Sequence, residues 1–262
     1  MTLADDLHAV GMRGTADQLE DIVAHATKKR WSPAQLLEHI AAIEAADGAK
    51  RSLERRLSRS RIGAFKPIAD FDWSWPHRID REAVESVIAP TFFRTPRNVV
   101  LVAAQGLGKT MIAKNIGIAA VHAGHTALFI TAAQMLLDLS SQESARGLER
   151  RLRYYSGIAV LVCDELGYLS FDTRNADLLF QVVSRRYERK STVFTTNLPF
   201  AEWTTIFPGA ACVTAMIDRI IHHGEIITID GDSYRRREAE HAKRSRRKTR
   251  SKTARPNSRA SR

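Results

Sequence analysis

Cysteine is scarce in this chain of 262 residues: Cys163 and Cys212 are the only two. So few thiols exclude a disulfide-stapled secreted fold. Cys163 is set inside an apolar β-branched run, and both cysteines read as reduced core residues of a cytoplasmic protein. No apolar run approaches the roughly 20 residues that a membrane helix needs, so no membrane partner is expected. The opening MTLADDLHAV lacks the basic and then apolar pattern of a signal peptide. His222 and His223 have no partner at metal-ligand spacing and read as structural. Excess charge is missing from most of the chain as well. Residues 1–234 hold 27 basic and 27 acidic side chains, and the whole net charge of +11 lies in residues 235–262. That tail, rich in Ser, Lys and Arg, has almost nothing to bury. It is expected to be a disordered arm for a polyanion, nucleic acid first, with a solubilising terminus as the plainer alternative.

The chain is organised around NVVLVAAQGLGKT, Asn98 to Thr110. Val99 to Val102 form the apolar run of a strand buried on both faces. Gln105, Gly106, Leu107 and Gly108 turn the chain, and Lys109-Thr110 open a helix. This strand, glycine turn and helix form the setting of a phosphate-binding loop, in which backbone N–H groups and the helix dipole hold an anion. Lys109 would reach the β and γ phosphates of ATP, and the Thr110 hydroxyl would hold Mg²⁺. The full pattern begins with Gly at position 103, where this chain has Ala103, so the loop must start in an ordinary backbone conformation.

Before the loop, residues 1–62 read as a small helical domain. Thr2, Thr15 and Ser32-Pro33 are its helix-start signals. Arg51, Arg55 and Arg59 recur every fourth residue and line one helical face, either against DNA phosphates or simply in solvent. Residues 63–97 read as a connector with a helix near 80–88. Its alternating Phe71, Trp73 and Trp75 suit interdomain packing better than contact with a nucleotide base. After the loop come a helix at 109–122, a strand at 127–131, helical residues 132–153 and a strand at 158–163. A helix at 173–190, a strand at 192–196, a helix at 211–223 and a strand at 225–229 follow. Five apolar strands separated by helices predict a five-stranded parallel sheet covered on both faces, over residues 98–234.

Asp164-Glu165 follows the 158–163 strand, at the carboxyl end where such sheets bind ligands. Asp164 would hold Mg²⁺, mainly through water, and Glu165 would orient and polarise the attacking water. Asn197, ending the next strand, brings an uncharged donor and acceptor to the same water or to the γ-phosphate. Arg219 interrupts an apolar helix. It reads as an arginine finger entering a neighbouring subunit's site, or as one half of an internal ion pair.

The phosphate loop, VLVCDELGYL, YERKSTVFTTNLPFAEW and MIDRIIHHGEIITI, in that order, resemble the IstB family of transposition helper ATPases. This family belongs to the AAA+ class of P-loop NTPases, beside the DnaC-type helicase loaders. The likeness spans roughly residues 1–235 and includes the N-terminal helices and FKPIADFDW. It implies an AAA+ core preceded by a helical domain, ATP and Mg²⁺ as cofactors, and double-stranded DNA, further copies of the chain and a cognate transposase as partners. It also implies Lys109 and Thr110 on ATP-Mg²⁺, Asp164 and Glu165 in hydrolysis, Asn197 as sensor and Arg219 as finger. Only 43 residues follow Arg219, which leaves no room for the helical lid of many AAA+ proteins. A helicase loader, or a nucleotide-dependent DNA scaffold with little hydrolysis, would share most of these features.

Overall fold

The computed structural model describes residues 2–168, 171–234 and 237. Except at Arg237, the expectation of a disordered basic arm over 235–262 falls outside them. The chain divides into two compact units, Met1–Arg59 and Ser60–Arg262.

The first unit is all helical: α1 (Leu3–Ala9), α2 (Arg13–Asp17), α3 (Leu19–Lys29) and α4 (Pro33–Arg59). Thr2 caps α1 through a reciprocal pair of bonds with Asp5. Thr15 is no cap. It lies buried within α2, where its N–H donates to Glu44 Oε1 at 2.7 Å, and α3 starts behind Gln18 without a side-chain cap. A partner on α4 thus claims the group on which the local signal rested. Gly14 permits this approach, since a Cβ there would stand 3.0 Å from Asp47 Cβ and 3.1 Å from Ile43 Cγ2. Ser32 and Gln35 cap α4 reciprocally, and the helix then runs through Gly48 for 27 residues, about 40 Å at 1.5 Å per residue. Arg55 and Arg59 are exposed on α4, whereas Arg51 is half-buried and ion-paired with Asp47 one turn back.

The second unit holds the sheet: β1 (Asn98–Ala103), β2 (Ala127–Thr131), β3 (Val160–Leu166), β4 (Ser191–Thr196) and β5 (Gly224–Ile229). All neighbours are parallel, in the order β2-β3-β4-β1-β5. The helices are α5 (Arg81–Ile88), α6 (Lys109–His122), α7 (Ala132–Ser140), α8 (Ala145–Gly157), α9 (Thr173–Arg186), α10 (Trp203–Ile206) and α11 (Val213–Ile221). The single helical stretch expected over 132–153 is two helices. The polar residues Ser141–Ser144 break it, and Ser144 Oγ accepts from Gly147 N–H at 3.0 Å to start α8. Burial on both faces holds for β1, whose Val99, Val100 and Leu101 are fully enclosed. It fails at β5. As an edge strand β5 alternates, with Ile227 and Ile229 buried and Ile226 exposed.

Cys163 is fully buried in β3, and both cysteines are free. Burial, with Asp164 beside it, pushes the Cys163 thiol up to about 12, so it stays protonated and inert at neutral pH. At the other end of the same strands, Arg186 is buried with no carboxylate partner among the described residues. It donates to the carbonyls of Tyr155 and Ile158, both at 2.7 Å, to Thr192 Oγ1 at 2.8 Å and to the Ser191 carbonyl. Burial lowers its pKa to about 9, so the guanidinium is still charged at neutral pH.

The connector packs on this unit. Ser60 O accepts from Phe129 N–H at 2.7 Å, Ile62 is buried, and Arg78 pairs antiparallel with Asp230 beyond β5. The compact units part after Arg59, three residues before the boundary expected from sequence.

Candidate nucleotide site

The glycine turn joins β1 to α6 at the carboxyl edge of the sheet. Gly106 and Gly108 have φ of +81° and +90°, the left-handed region that glycine enters without strain. Ala103 is buried in β1, paired with Ile229, and its φ is negative. The missing glycine is therefore absorbed by an ordinary strand residue. Gly108 caps α6 with no side-chain acceptor, which leaves the first N–H groups of the helix turned toward the cleft. Lys109 Nζ folds back on the carbonyls of Ala103 (2.5 Å) and Ala104 (2.8 Å). The Leu107 side chain is buried, so only its backbone can serve a ligand.

Across the cleft, the β3–β4 register slips. Cys163 pairs with Phe194 and Leu166 with Thr196, so Asp164 and Glu165 together face Thr195. This bulge sets Glu165 at φ +61° with its side chain exposed, while Asp164 stays buried. A line of hydrogen bonds fixes the pair. Glu165 N–H donates to Thr195 Oγ1 at 2.9 Å, and the Thr195 hydroxyl donates in turn to Asp164 Oδ1. Thr110 Oγ1 lies 3.2 and 3.1 Å from the two Asp164 oxygens. Next to them, Asn197 Oδ1 is buried without a hydrogen-bond partner among the described residues. Gly167, at φ +99°, lets the turn after Glu165 lie against it, since a Cβ there would come within 3.2 Å of Asn197 Oδ1.

These elements enclose a cleft of about 320 Å³ lined by residues 105–110, Glu165, Thr195, Asn197 and a wall of aromatic side chains. The wall corrects one sequence reading, because Phe71 and Trp75 line the cleft instead of serving only as packing. Phe71 lies over Gly108, where a Cβ would meet its ring at 2.6 Å. Tyr234 completes the wall and donates its N–H to Gly106 O at 3.0 Å, while Trp75 Nε1 donates to Asp232 O at 2.8 Å. Trp73 instead packs against Phe71 at a tilt of 57° and lies beneath the Arg81 guanidinium. Thr195 and Tyr234 escaped the sequence reading. Thr195 is signalled only by its place one residue before Thr196-Asn197, and Tyr234 by nothing local.

Arg219 does not line the cleft. It donates to Ala215 O at 3.1 Å and lies 4.8 Å over the Phe180 ring, and no ion pair with Asp218 or another acid is found among the described residues. Glu188, which no spacing rule picks out, stands beside His222 and His223. The partner that sequence spacing does not give the two histidines is thus supplied by the fold.

A parallel sheet in this order, with the phosphate loop after β1 and the acidic pair on β3, defines a P-loop NTPase of the AAA+ class. The residues present suit Mg·ATP: an uncapped helix start, a lysine resting on carbonyls, a Thr–Asp pair and an unpaired Asn oxygen. The family model described as IstB-like ATP binding protein matches residues 5–242, and the chain belongs to that family. The ATP-binding protein of insertion sequence IS21 from Pseudomonas aeruginosa is 33% identical over 232 residues, 88% of each chain. That of IS5376 from Geobacillus stearothermophilus is 31% identical over 231 residues, 88% of this chain and 92% of its own length. The solved structure of DnaI covers 66% of this chain and 90% of its own, with a TM-score of 0.52 at 17% identity, a likeness of fold alone. Among the described residues no helix is long and apolar enough to cross a membrane.

Proposed function

We propose that this chain is a cytoplasmic ATPase that binds duplex DNA, assembles on it with further copies while ATP is bound, and acts as helper to the transposase of its insertion sequence. The observation that carries the hydrolytic part is the line Glu165–Thr195–Asp164–Thr110 at the edge of the phosphate loop. The transposition part rests on the insertion-sequence relatives.

In this reading Lys109 leaves the Ala103 and Ala104 carbonyls for the β and γ phosphates. The N–H groups of residues 105–110 surround the same anion. Thr110 and Asp164 would hold Mg²⁺, which neutralises phosphate charge. Glu165, held outward by the bulge, orients water for attack on the γ-phosphorus as the bond to the ADP oxygen breaks. The unpaired Asn197 Oδ1 accepts from that water, and the Asn197 amide N–H groups are left for a phosphate oxygen. Arg219 sits outside its own cleft and has no ion pair among the described residues, as suits a finger reaching a neighbour's cleft. Arg55 and Arg59, with Arg51 beside them, form the DNA face of α4, and the tail of residues 235–262 adds a second basic segment.

The test is phosphate release from ATP with and without duplex DNA. DNA-stimulated release, lost in Glu165→Gln while ATP binding persists, is expected. Binding without turnover under any condition overturns the reading and leaves a nucleotide-dependent DNA scaffold. If about six phosphates are neutralised per protomer, log affinity for duplex DNA falls with log salt at a slope near −5, and a slope near zero removes the basic segments from the interface.

A further inference from the structure

We propose that Glu188, His222 and His223 form a binding site for a divalent late first-row transition ion such as Zn²⁺, separate from the nucleotide cleft. Glu188 lies in the turn between α9 and β4, and the two histidines follow α11. One ligand atom from each lies within 4.8 Å of the others. His223 Nε2 is 3.3 Å and His222 Nδ1 4.0 Å from the same oxygen, Glu188 Oε1. Around a tetrahedral ion with bonds of about 2.0–2.1 Å, neighbouring ligand atoms stand about 3.3 Å apart. The Glu188–His223 pair is already at that spacing, the Glu188–His222 pair needs to close by less than an ångström, and the two imidazole nitrogens, within 4.8 Å of each other, by about 1.5 Å at most.

The surroundings hold the three groups for this role. The Tyr187 ring stacks on His223 with centroids 6.4 Å apart, and Tyr187 Oη lies 2.6 Å from His222 Nδ1, a contact the hydroxyl gives up when that nitrogen takes the ion. Glu188 is one of four non-glycine residues with positive φ among the described residues, at +57°, a conformation kept only where its neighbours enforce it. The three side chains line a solvent-open hollow with Thr95, Pro96 and Arg97, and the Arg97 guanidinium is laid over the Phe92 ring. Two imidazole nitrogens and one carboxylate oxygen favour Zn²⁺, Ni²⁺ or Cu²⁺ over Mg²⁺, and three protein ligands leave positions for water. None of the three lines the nucleotide cleft, so the ion would be additional to the one assigned to Thr110 and Asp164. Bound there, it would tie the α9–β4 turn to the end of α11, one turn beyond Arg219.

Equilibrium dialysis of tag-free, full-length protein against Zn²⁺, with Mg²⁺ in large excess, tests the site. One Zn²⁺ per chain with micromolar affinity is expected. Glu188→Gln and the double variant His222→Ala/His223→Ala should each weaken it at least tenfold, and Cys212→Ser should not. These side chains are exposed, so circular dichroism should show each variant folded. Cu²⁺ paramagnetic resonance supplies a second readout: coupling to two imidazole nitrogens in the wild type and to one in His223→Ala. Less than a tenfold difference between wild type and the double variant, or a Cu²⁺ spectrum unchanged in His223→Ala, overturns the proposal.

Discussion

Replacing Glu165 with glycine should yield a protein that melts higher and no longer hydrolyses ATP. Glu165 occupies φ +61° at the β3 bulge, and its side chain is exposed, so removing it opens no cavity. A left-handed backbone costs an L-residue about 1–2 kcal/mol. Glycine escapes that cost but gives back about 0.5–1 kcal/mol through the freedom it adds to the unfolded chain. The balance lies between about 0 and 1.5 kcal/mol in favour of Glu165→Gly, centred on about 0.75 kcal/mol, or a Tm rise of about 1.5–3 °C for a unit of this size. The backbone bond from residue 165 N–H to Thr195 Oγ1 survives the change. Glu165→Ala is the control, since it loses the same carboxylate yet keeps the backbone strain, and it should melt near the wild type. The assay is a thermal melt of nucleotide-free protein, with phosphate release measured in parallel. If Glu165→Gly melts at or below Glu165→Ala, the backbone there is not strained, and the account of how the bulge aims the carboxylate is wrong.

Thr195→Val removes the donor to Asp164 and the acceptor of Glu165 N–H. Phosphate release should fall by about 10–100-fold with nucleotide binding retained, and stability by about 1–3 kcal/mol in urea titration. Arg186→Met leaves three buried carbonyls and the Thr192 hydroxyl without their donor, so a loss of at least about 3 kcal/mol is expected from the same titration, against near-neutrality for the exposed Arg189→Met. Glu149 receives hydrogen bonds from Arg185 and Arg153, which hold its carboxyl down at about 2. A depressed carboxyl stabilises fully above its unfolded value near 4.3, and the effect fades as pH falls from there through about 2. Glu149→Gln should therefore be less stable than wild type at pH 7, with a urea-midpoint difference that narrows steadily between pH 5 and pH 2.

Local chemistry made the strands, the phosphate loop and the acidic pair legible. Val99–Val102 are β-branched or apolar throughout, and a glycine turn followed by Lys-Thr has few other uses. Features that depend on partners distant in sequence were not legible. Thr15 carries a cap residue's hydroxyl, but Glu44 on another helix decides its place. The slip at Asp164-Glu165 depends on Thr195, thirty residues on, and no period in the sequence announces an extra residue in a strand. Phe71 and Trp75 alternate as packing residues do, and only the return of Tyr234 to Gly106 shows which surface they line. Glu188 and the two histidines sit on separate elements, beyond the reach of any spacing rule.

The hydrogen bond from Tyr234 to the phosphate loop, and the position of β5 beside β1, bear on biosynthesis. The loop is made before the middle of the chain, but the strand and residues that flank it leave the ribosome more than a hundred residues later. A nascent chain that has exposed the Gly-Lys-Thr segment still lacks both neighbours of β1, since β4 and β5 come later in the chain, and one side of the pocket. Nucleotide therefore cannot stabilise this unit in early translation intermediates, and β1 waits unpaired for β4 and then half-paired for β5.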